Sequence, residues 1–179
     1  FIAPLISWFA GMEKEPNAWC QILAENEKQS KRTYDIVCKA VREKPLDKVF
    51  IERKTEKYIE CKLNDGRIEY LSGRTKGKDG SNPSVAVVNE AHEITNHNQY
   101  LAIKTGMGAR EQPMMIVISS AGVTPESLYE KLLERNRKML RKPKLGANDR
   151  IFALMYGIDD TDDYNDERCW IKANPAMVE

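Results

Sequence analysis

Four small apolar residues, Val85 to Val88, run directly into Asn89, Glu90, Ala91, His92, Glu93 and Ile94. A carboxylate at the tip of a buried strand can orient a water molecule and take its proton, which is what general-base chemistry requires. Glu90 has that position, with an amide before it and an imidazole two residues after it. A second apolar run, Met114 to Ile118, ends in Ser119, Ser120 and, after Ala121, Gly122. Hydroxyls on a tight turn there could hydrogen-bond a phosphate or Glu90 itself. Both tips also have a plainer reading, in which Asn89 and Glu90 begin a loop or cap the helix after it and the serines form a turn.

Three charged stretches invite further roles. Arg74, Lys76 and Lys78 lie in a glycine-rich loop, "GRTKGKDG", that resembles a phosphate-binding loop only in composition. The G-x-x-x-x-G-K-[ST] pattern needs four residues between its glycines and a hydroxyl after the lysine, and it joins a strand to a helix. Here three residues follow Gly73 before the next glycine, Lys78 precedes Asp79, and a strand comes next. Arg135, Arg137 and Arg141 sit in the densest basic stretch, which could follow a DNA backbone or be the solvated face of a helix with Glu134 and Lys138 as an exposed pair. The acidic run from Asp159 to Glu167 lacks D-x-D-x-D-G loop spacing and reads as a solvated linker rather than a metal site.

The elements that must position these groups alternate along the chain. "FIAPLISWFAG" at the start is helix-like, and "WCQILA" reads as a buried strand. A helix follows, capped by Asn26 with Gln29 at its third position, ending before Pro45, with Ile36, Val37, Ala40 and Val41 on one face. "KVFIER", "KYIECKL" and "RIEYLS" are short strands, the last two joined by an Asn64-Asp65-Gly66 hairpin signal. After the strands "VAVVN" and "PMMIVISS", a helix is expected over Thr124 to Lys142, with Thr124 as its cap and Pro125 in its first position. Its stripe is Leu128, Leu132 and Met139 beside Tyr129, Leu133 and Leu140. "RIFALMYGI" reads as another strand, and a short helix closes the chain near Trp170. Runs such as "VAVV", apolar on both sides of the pleat, suit strands covered by helices on both faces, and so a mostly parallel α/β sheet.

Composition excludes several classes. The chain of 179 residues suits one domain with its own core, and a net charge of +1 gives no global basic footprint. Cys20, Cys38, Cys61 and Cys169 are widely spaced without a C-x-x-C pair, so neither a zinc site nor a disulfide framework is signalled and a reducing setting is the simpler reading. No apolar run approaches the roughly 18 residues of a membrane helix. The first residue is Phe1 rather than Met, which suggests a fragment that begins upstream.

Three of these motifs, in this order, resemble the ATPase half of the large terminase subunit of tailed bacteriophages, the motor that packages double-stranded DNA into phage heads. "VAVVNEAHEI" is similar to that family's Walker B strand, four apolar residues and then Asp-Glu-x-His. "MMIVISSAG" is similar to its coupling motif. "FALMYGIDDTDDYNDERCWIKANP" is similar to the close of its ATPase core, with acidic residues, a Trp and then Ala-Asn-Pro. The resemblance spans roughly residues 20 to 175. It implies an α/β P-loop NTPase fold of the RecA/ASCE type, a mostly parallel sheet flanked by helices, with ATP and Mg²⁺ as cofactors. It also implies double-stranded DNA, a portal protein and a small terminase subunit as partners, a homo-oligomeric ring on the portal, and work in the bacterial host cytoplasm and transiently on the procapsid, with no membrane.

Carried onto this chain, the resemblance makes Glu90 the carboxylate that polarises the attacking water. Ser119, Ser120, Gly122 and His92 would sense the nucleotide state, and Arg74, Lys76 or Lys78 could reach a neighbouring subunit's γ-phosphate. Two departures qualify the match. Asn89 stands where the family has Asp, so it could hold Mg²⁺ only through a bound water and without negative charge, which weakens the site for a hard cation. The phosphate-binding loop is missing, and "FIAPLISWFAG" resembles the helix that follows one, which places the loop just upstream of Phe1. The expected organisation is an ATPase core over residues 1–156, inactive as an isolated fragment, and an acidic segment over 157–179 leading toward an absent nuclease domain. A DExH-type helicase fragment and a nucleotide-free α/β nucleic-acid-binding module are the alternatives.

Overall fold

The computed structural model describes residues 2–12, 16–72, 80–141 and 150–177. The chain divides into two compact units, residues 1–134 and 135–179.

The first unit is built on a six-stranded sheet. Helix α1 (Ile2–Met12) precedes strand β1 (Trp19–Ala24), then come α2 (Glu27–Arg42), β2 (Phe50–Arg53), β3 (Tyr58–Cys61), β4 (Arg67–Ser72), β5 (Val85–Asn89), α3 (Asn98–Gly106) and β6 (Met114–Ile118). In space the strands lie in the order β2-β3-β4-β1-β5-β6. The four from β4 to β6 are parallel to one another, while β2, β3 and β4 pair antiparallel. The expected mostly parallel α/β sheet is what forms. The Asn64-Asp65-Gly66 hairpin is present: Asp65 takes φ 55°, the Gly66 N–H donates to Asn64 Oδ1 at 3.0 Å, and a Cβ on Gly66 would sit 2.3 Å from the Ala10 carbonyl oxygen. Glycine is therefore required there by space.

Both faces of the sheet are covered. Val85 and Val87 point into one cluster with Ile6, Phe9, Ile22, Tyr34, Val37 and Ile68, contributed by α1, α2 and their strands. Ala86 and Val88 point into the other, with Leu23, Leu71, Ile94, Tyr100 and Ile103. Alternate residues of one strand thus feed two cores, which is why its sequence is apolar without interruption. Burying each of the three valines contributes about 1.5–3 kcal/mol.

Helix α2 begins as its sequence predicts. Asn26 accepts from the Gln29 N–H, and the Gln29 side chain accepts from the Asn26 N–H. Its buried face differs from the expected one: Ser30, Tyr34, Val37, Cys38 and Val41 are buried, while Ile36 is 57% exposed. The true stripe runs at i, i+3, i+4 and i+7 from Tyr34, and Ile36 lies off that row.

Helix α4 spans Leu128–Arg141, beginning in the first unit and ending in the second, and it starts four residues later than Thr124. Glu126 has φ 57°, a left-handed conformation that interrupts any helix. Ser127 stands just before the first turn, its Oγ accepting from the Glu130 N–H at 3.4 Å. Ser127 is thus the cap that Pro125 masked, and Glu130 Oε2 reaches back one residue further, accepting from the Glu126 N–H at 2.6 Å. Leu128 is buried, with Tyr129 and Leu132 packed on its cluster, whereas Leu140 is 49% exposed.

In the second unit, residues 151–158 have no strand pairing among the described residues, contrary to the expected strand. Phe152 is 87% and Leu154 62% exposed. Helix α5 (Glu167–Ala173) forms near Trp170 as expected, capped by Asp166. The acidic run closes on itself: Lys172 Nζ donates to Asp159 Oδ2 at 2.7 Å and Asp162 Oδ2 at 2.8 Å, and Trp170 Nε1 donates to the Tyr164 carbonyl at 2.8 Å. Hydrogen bonding from Lys172 holds the Asp162 carboxyl below the usual carboxylate range.

Candidate functional site

Strands β5 and β6 are parallel neighbours with Asn89 level with Ile118, so the residues after both emerge side by side at one edge of the sheet. That is where open α/β sheets place their ligands. The loop after β5 is tightly held. The Ala91 N–H donates to the Ile118 carbonyl at 3.3 Å and the Glu93 N–H to the Glu90 carbonyl at 3.0 Å. The carbonyls of Ile94 and Ala91 accept from the Leu128 and Tyr129 N–H groups at 2.8 and 3.2 Å, which partners donors that the start of a helix leaves unpaired.

Glu90 sits at this tip with φ 53°, in the left-handed region that non-glycine residues rarely occupy. Such a conformation costs about 1–3 kcal/mol and persists only where the surroundings over-determine it. Its carboxylate is part of a cluster. Oε2 lies 3.3 Å from His92 Nδ1 and 3.5 Å from Ser120 Oγ. Ser119 Oγ accepts from the His92 N–H at 3.0 Å, donates to the Ser120 carbonyl at 2.8 Å and lies 3.2 Å from His92 Nδ1. His92 Nδ1 thus has Ser119 Oγ, Glu90 Oε2 and, at 3.5 Å, Ser120 Oγ around it, and a proton on Nδ1 would face the carboxylate oxygen as its acceptor.

Gly122 belongs to the same cluster through packing. A Cβ there would meet His92 Cβ at 2.4 Å and its ring at 2.8 Å. The structure thus brings together Glu90, His92, Ser119, Ser120 and Gly122 from two separate motifs. Asn89 is placed one residue back, its Nδ2 donating to Thr33 Oγ1 on α2 at 3.4 Å. With the amide nitrogen committed to Thr33, Oδ1 is the atom left to accept.

Two neighbours of the cluster are not visible in the sequence. Gln29 Nε2 donates to Glu93 Oε2, and Glu93 Oε1 lies 3.8 Å from His92 Nε2. The capping pattern marks Gln29 as a helix residue, but nothing in the sequence joins it to a carboxylate 64 positions away. Arg74, Lys76 and Lys78 lie outside the described residues. Arg135, Arg137 and Arg141 are exposed on the part of α4 that belongs to the second unit.

The residues present fit magnesium only in a limited way. Among the described residues no three of His, Cys, Asp and Glu gather as a metal cage. Magnesium ordinarily keeps several waters and takes one or two protein oxygens plus substrate phosphates. Asn89 Oδ1 and Glu90 supply a donor set of that size, suited to an ion that arrives with a nucleotide. Among the described residues no helix is long and apolar enough to cross a membrane. All four cysteines are free.

The chain as a whole is similar to known proteins. The chain is similar to "Protein YmfN" of Escherichia coli K12, 39% identical over 102 residues that are 55% of the chain and 21% of that protein. It is also similar to the terminase large subunit of Lactococcus phage p2, 23% identical over 163 residues, 87% of the chain and 29% of that protein. The chain therefore spans about a fifth to a third of the length of these relatives. Among solved structures, the HK97 bacteriophage large terminase superposes with a TM-score of 0.82 at 22% identity, over 98% of this chain and 36% of that one. The ATPase domain of the Thermus phage P74-26 large terminase gives 0.55 at 12% identity, over 80% of this chain and 78% of that one. Both likenesses concern the fold alone, a mostly parallel sheet flanked by helices. The family described as "Terminase large subunit, ATPase domain" matches residues 4–138, and with most of its length so matched, this chain belongs to that family.

Proposed function

We propose that this chain is the hydrolytic core of an ATP-driven motor that packages double-stranded DNA, with Glu90 as the group that activates water. The observation that carries the reading is the held carboxylate: Glu90 stands at a strand tip in a left-handed conformation, with Oε2 engaged by His92 Nδ1 and Ser120. Oε2 is thereby fixed and Oε1 is left to take the proton of an incoming water. In phosphoryl transfer the protein mostly positions groups and offsets charge, so a fixed base in the right place is the main thing such a strand must supply. Magnesium bound with ATP would neutralise charge on the phosphate oxygens, and Asn89 Oδ1 is suited to accept from one of its waters.

The pattern G-x-x-x-x-G-K-[ST] does not occur in the 179 residues. The reading therefore takes the phosphate grip from outside them, with residues 1–156 as the motor core and 157–179 leading toward a linker. Ser120 faces both Glu90 Oε2 and His92 Nδ1, and Ser119 and Gly122 lie against His92, so a change at the phosphate would be felt at the end of β6 through them. Duplex DNA, a portal ring and a small terminase subunit are the proposed partners, in the cytoplasm of a bacterial host and on the procapsid. Arg135, Arg137 and Arg141 are a candidate DNA contact, and Arg74, Lys76 and Lys78 candidates for completing a neighbouring subunit's site.

The test is Mg²⁺-dependent ATP hydrolysis by the full-length gene product, with and without duplex DNA. Turnover that DNA stimulates supports the motor reading. DNA binding that weakens with salt but ignores nucleotide would identify a passive nucleic-acid module instead.

A further inference from the structure

The loop that carries Glu90 is fastened to helix α2 at two points, one on each side of the carboxylate. Before it, Asn89 Nδ2 donates to Thr33 Oγ1 at 3.4 Å, and after it, Glu93 Oε2 accepts from Gln29 Nε2. Gln29 and Thr33 are one helical turn apart and therefore share a face of α2. Gln29 is also the capping-box residue of that helix: its Oε1 faces the Asn26 N–H at 3.3 Å and the Asn26 Nδ2 at 2.8 Å. One amide thus spends its oxygen on the helix cap and its nitrogen on Glu93. Glu93 in turn places Oε1 3.8 Å from His92 Nε2, while His92 Nδ1 faces Glu90 Oε2 at 3.3 Å.

We infer that Gln29 and Thr33 are positioning residues for the water-activating carboxylate, and that the first turn of α2 is a brace that fixes the Asn89–Glu93 loop through Glu93, His92 and Asn89. The inference rests on the reading of Glu90 as the hydrolytic base. An amide suits the position of Gln29 because it donates to Glu93 and accepts from the cap at once, which a carboxylate or an amine cannot do. The Glu93 carboxylate held by Gln29 sets the charge beside one ring nitrogen, while Ser119 and Glu90 occupy the other. The ring orientation that holds Glu90 Oε2 is thus set from both sides. The amide of Asn89 likewise suits Thr33 as an acceptor.

Gln29→Glu separates the brace from the cap. Glutamate is a good residue at this capping position, so the helix start survives, but the donor to Glu93 is lost and a like charge replaces it. The variant is expected to keep its Tm within about 2 °C. In the full-length gene product its kcat for ATP is expected to fall between about 10- and 100-fold, the scale of a misplaced catalytic group, with KM for ATP unchanged. The His92 imidazole ¹⁵N signals, assigned by their loss in His92→Gln, are expected to move. Adding Glu93→Gln to Gln29→Glu reverses the polarity of the bond and should restore kcat to within a few-fold of wild type. Thr33→Val, nearly isosteric, tests the other attachment and should lower kcat without moving KM. Unchanged kcat and unmoved His92 signals in Gln29→Glu would overturn the inference, and so would a double variant no better than the single one. If the wild type hydrolyses no ATP, the reading of Glu90 fails, and the His92 spectra still decide whether the brace exists.

Discussion

Val85–Asn89 and residues 151–158 are both short apolar runs, yet the protein treats them oppositely. Strand β5 lies between β1 and β6 and its four valine and alanine residues are at most 2% exposed. Residues 151–158 have no strand pairing among the described residues, and Phe152, Leu154 and Tyr156 are each more than half exposed. The difference is one of neighbours rather than of side chains. A strand buried on both faces needs a hydrogen-bonded partner on each edge and a helix on each face, and β5 has all four. Strand β6 is intermediate. It pairs with β5 alone among the described residues, and Met114 and Ile118 at its ends are 42% and 38% exposed.

The same charge placed in both runs should have very unequal consequences. Val87 is 1% exposed and Leu154 62%. Val87→Asp buries an unpaired carboxylate and is expected to cost more than about 4 kcal/mol, whereas Leu154→Asp should stay within about 0.5 kcal/mol. Chemical denaturation of both variants measures it. Comparable losses would show that residues 151–158 are as deeply engaged as β5. Next in size is Gly122→Ala, which sets a methyl against the His92 ring and is expected to cost about 1–3 kcal/mol as overpacking. Urea midpoints with unchanged slope would report it, and the His92 ¹⁵N signals should shift with them.

Smaller again is Asn26→Ala, which removes the side chain that accepts from the Gln29 N–H and should lower stability by about 1 kcal/mol. Least affected is the second unit under acid. The folded-state pKa of Asp162 is depressed, so whatever stability its pairing with Lys172 supplies is present above the usual carboxylate range and is lost as pH falls through the depressed value. The Lys172 ammonium NMR signal should follow that loss, and Lys172→Met should reduce the pH dependence, leaving the part supplied by the Asp159 N–H that also donates to Asp162.

The same contrast explains what is legible in the sequence. The strand at Val85–Asn89, the capping box of Asn26 and Gln29, and the Asn64–Gly66 hairpin are written in local patterns, and each forms where its pattern places it. The start of α4 departs from the expected Thr124 because Pro125 suits a first helical position, and only the left-handed Glu126 reveals that the cap is Ser127. Counting apolar residues assigns Ile36 to a buried face, although Tyr34, less apolar, is what that face buries. The meeting of Glu90, His92, Ser119 and Ser120 follows from two motifs on parallel strands. The attachment of Glu93 to Gln29 does not, since it depends on how α2 crosses the sheet. An apolar run, likewise, states that a segment wants cover without saying which neighbour provides it.

The proposed role of Glu90 is to activate water from the end of β5. Single-turnover hydrolysis of ATP by the full-length gene product carrying Glu90→Gln, with nucleotide binding measured on the same sample, tests it most directly. ATP is expected to bind within a few-fold of wild type while the hydrolytic rate falls by about 10²- to 10⁴-fold, the usual cost of losing a general base. Hydrolysis at the wild-type rate with the amide in place would contradict it.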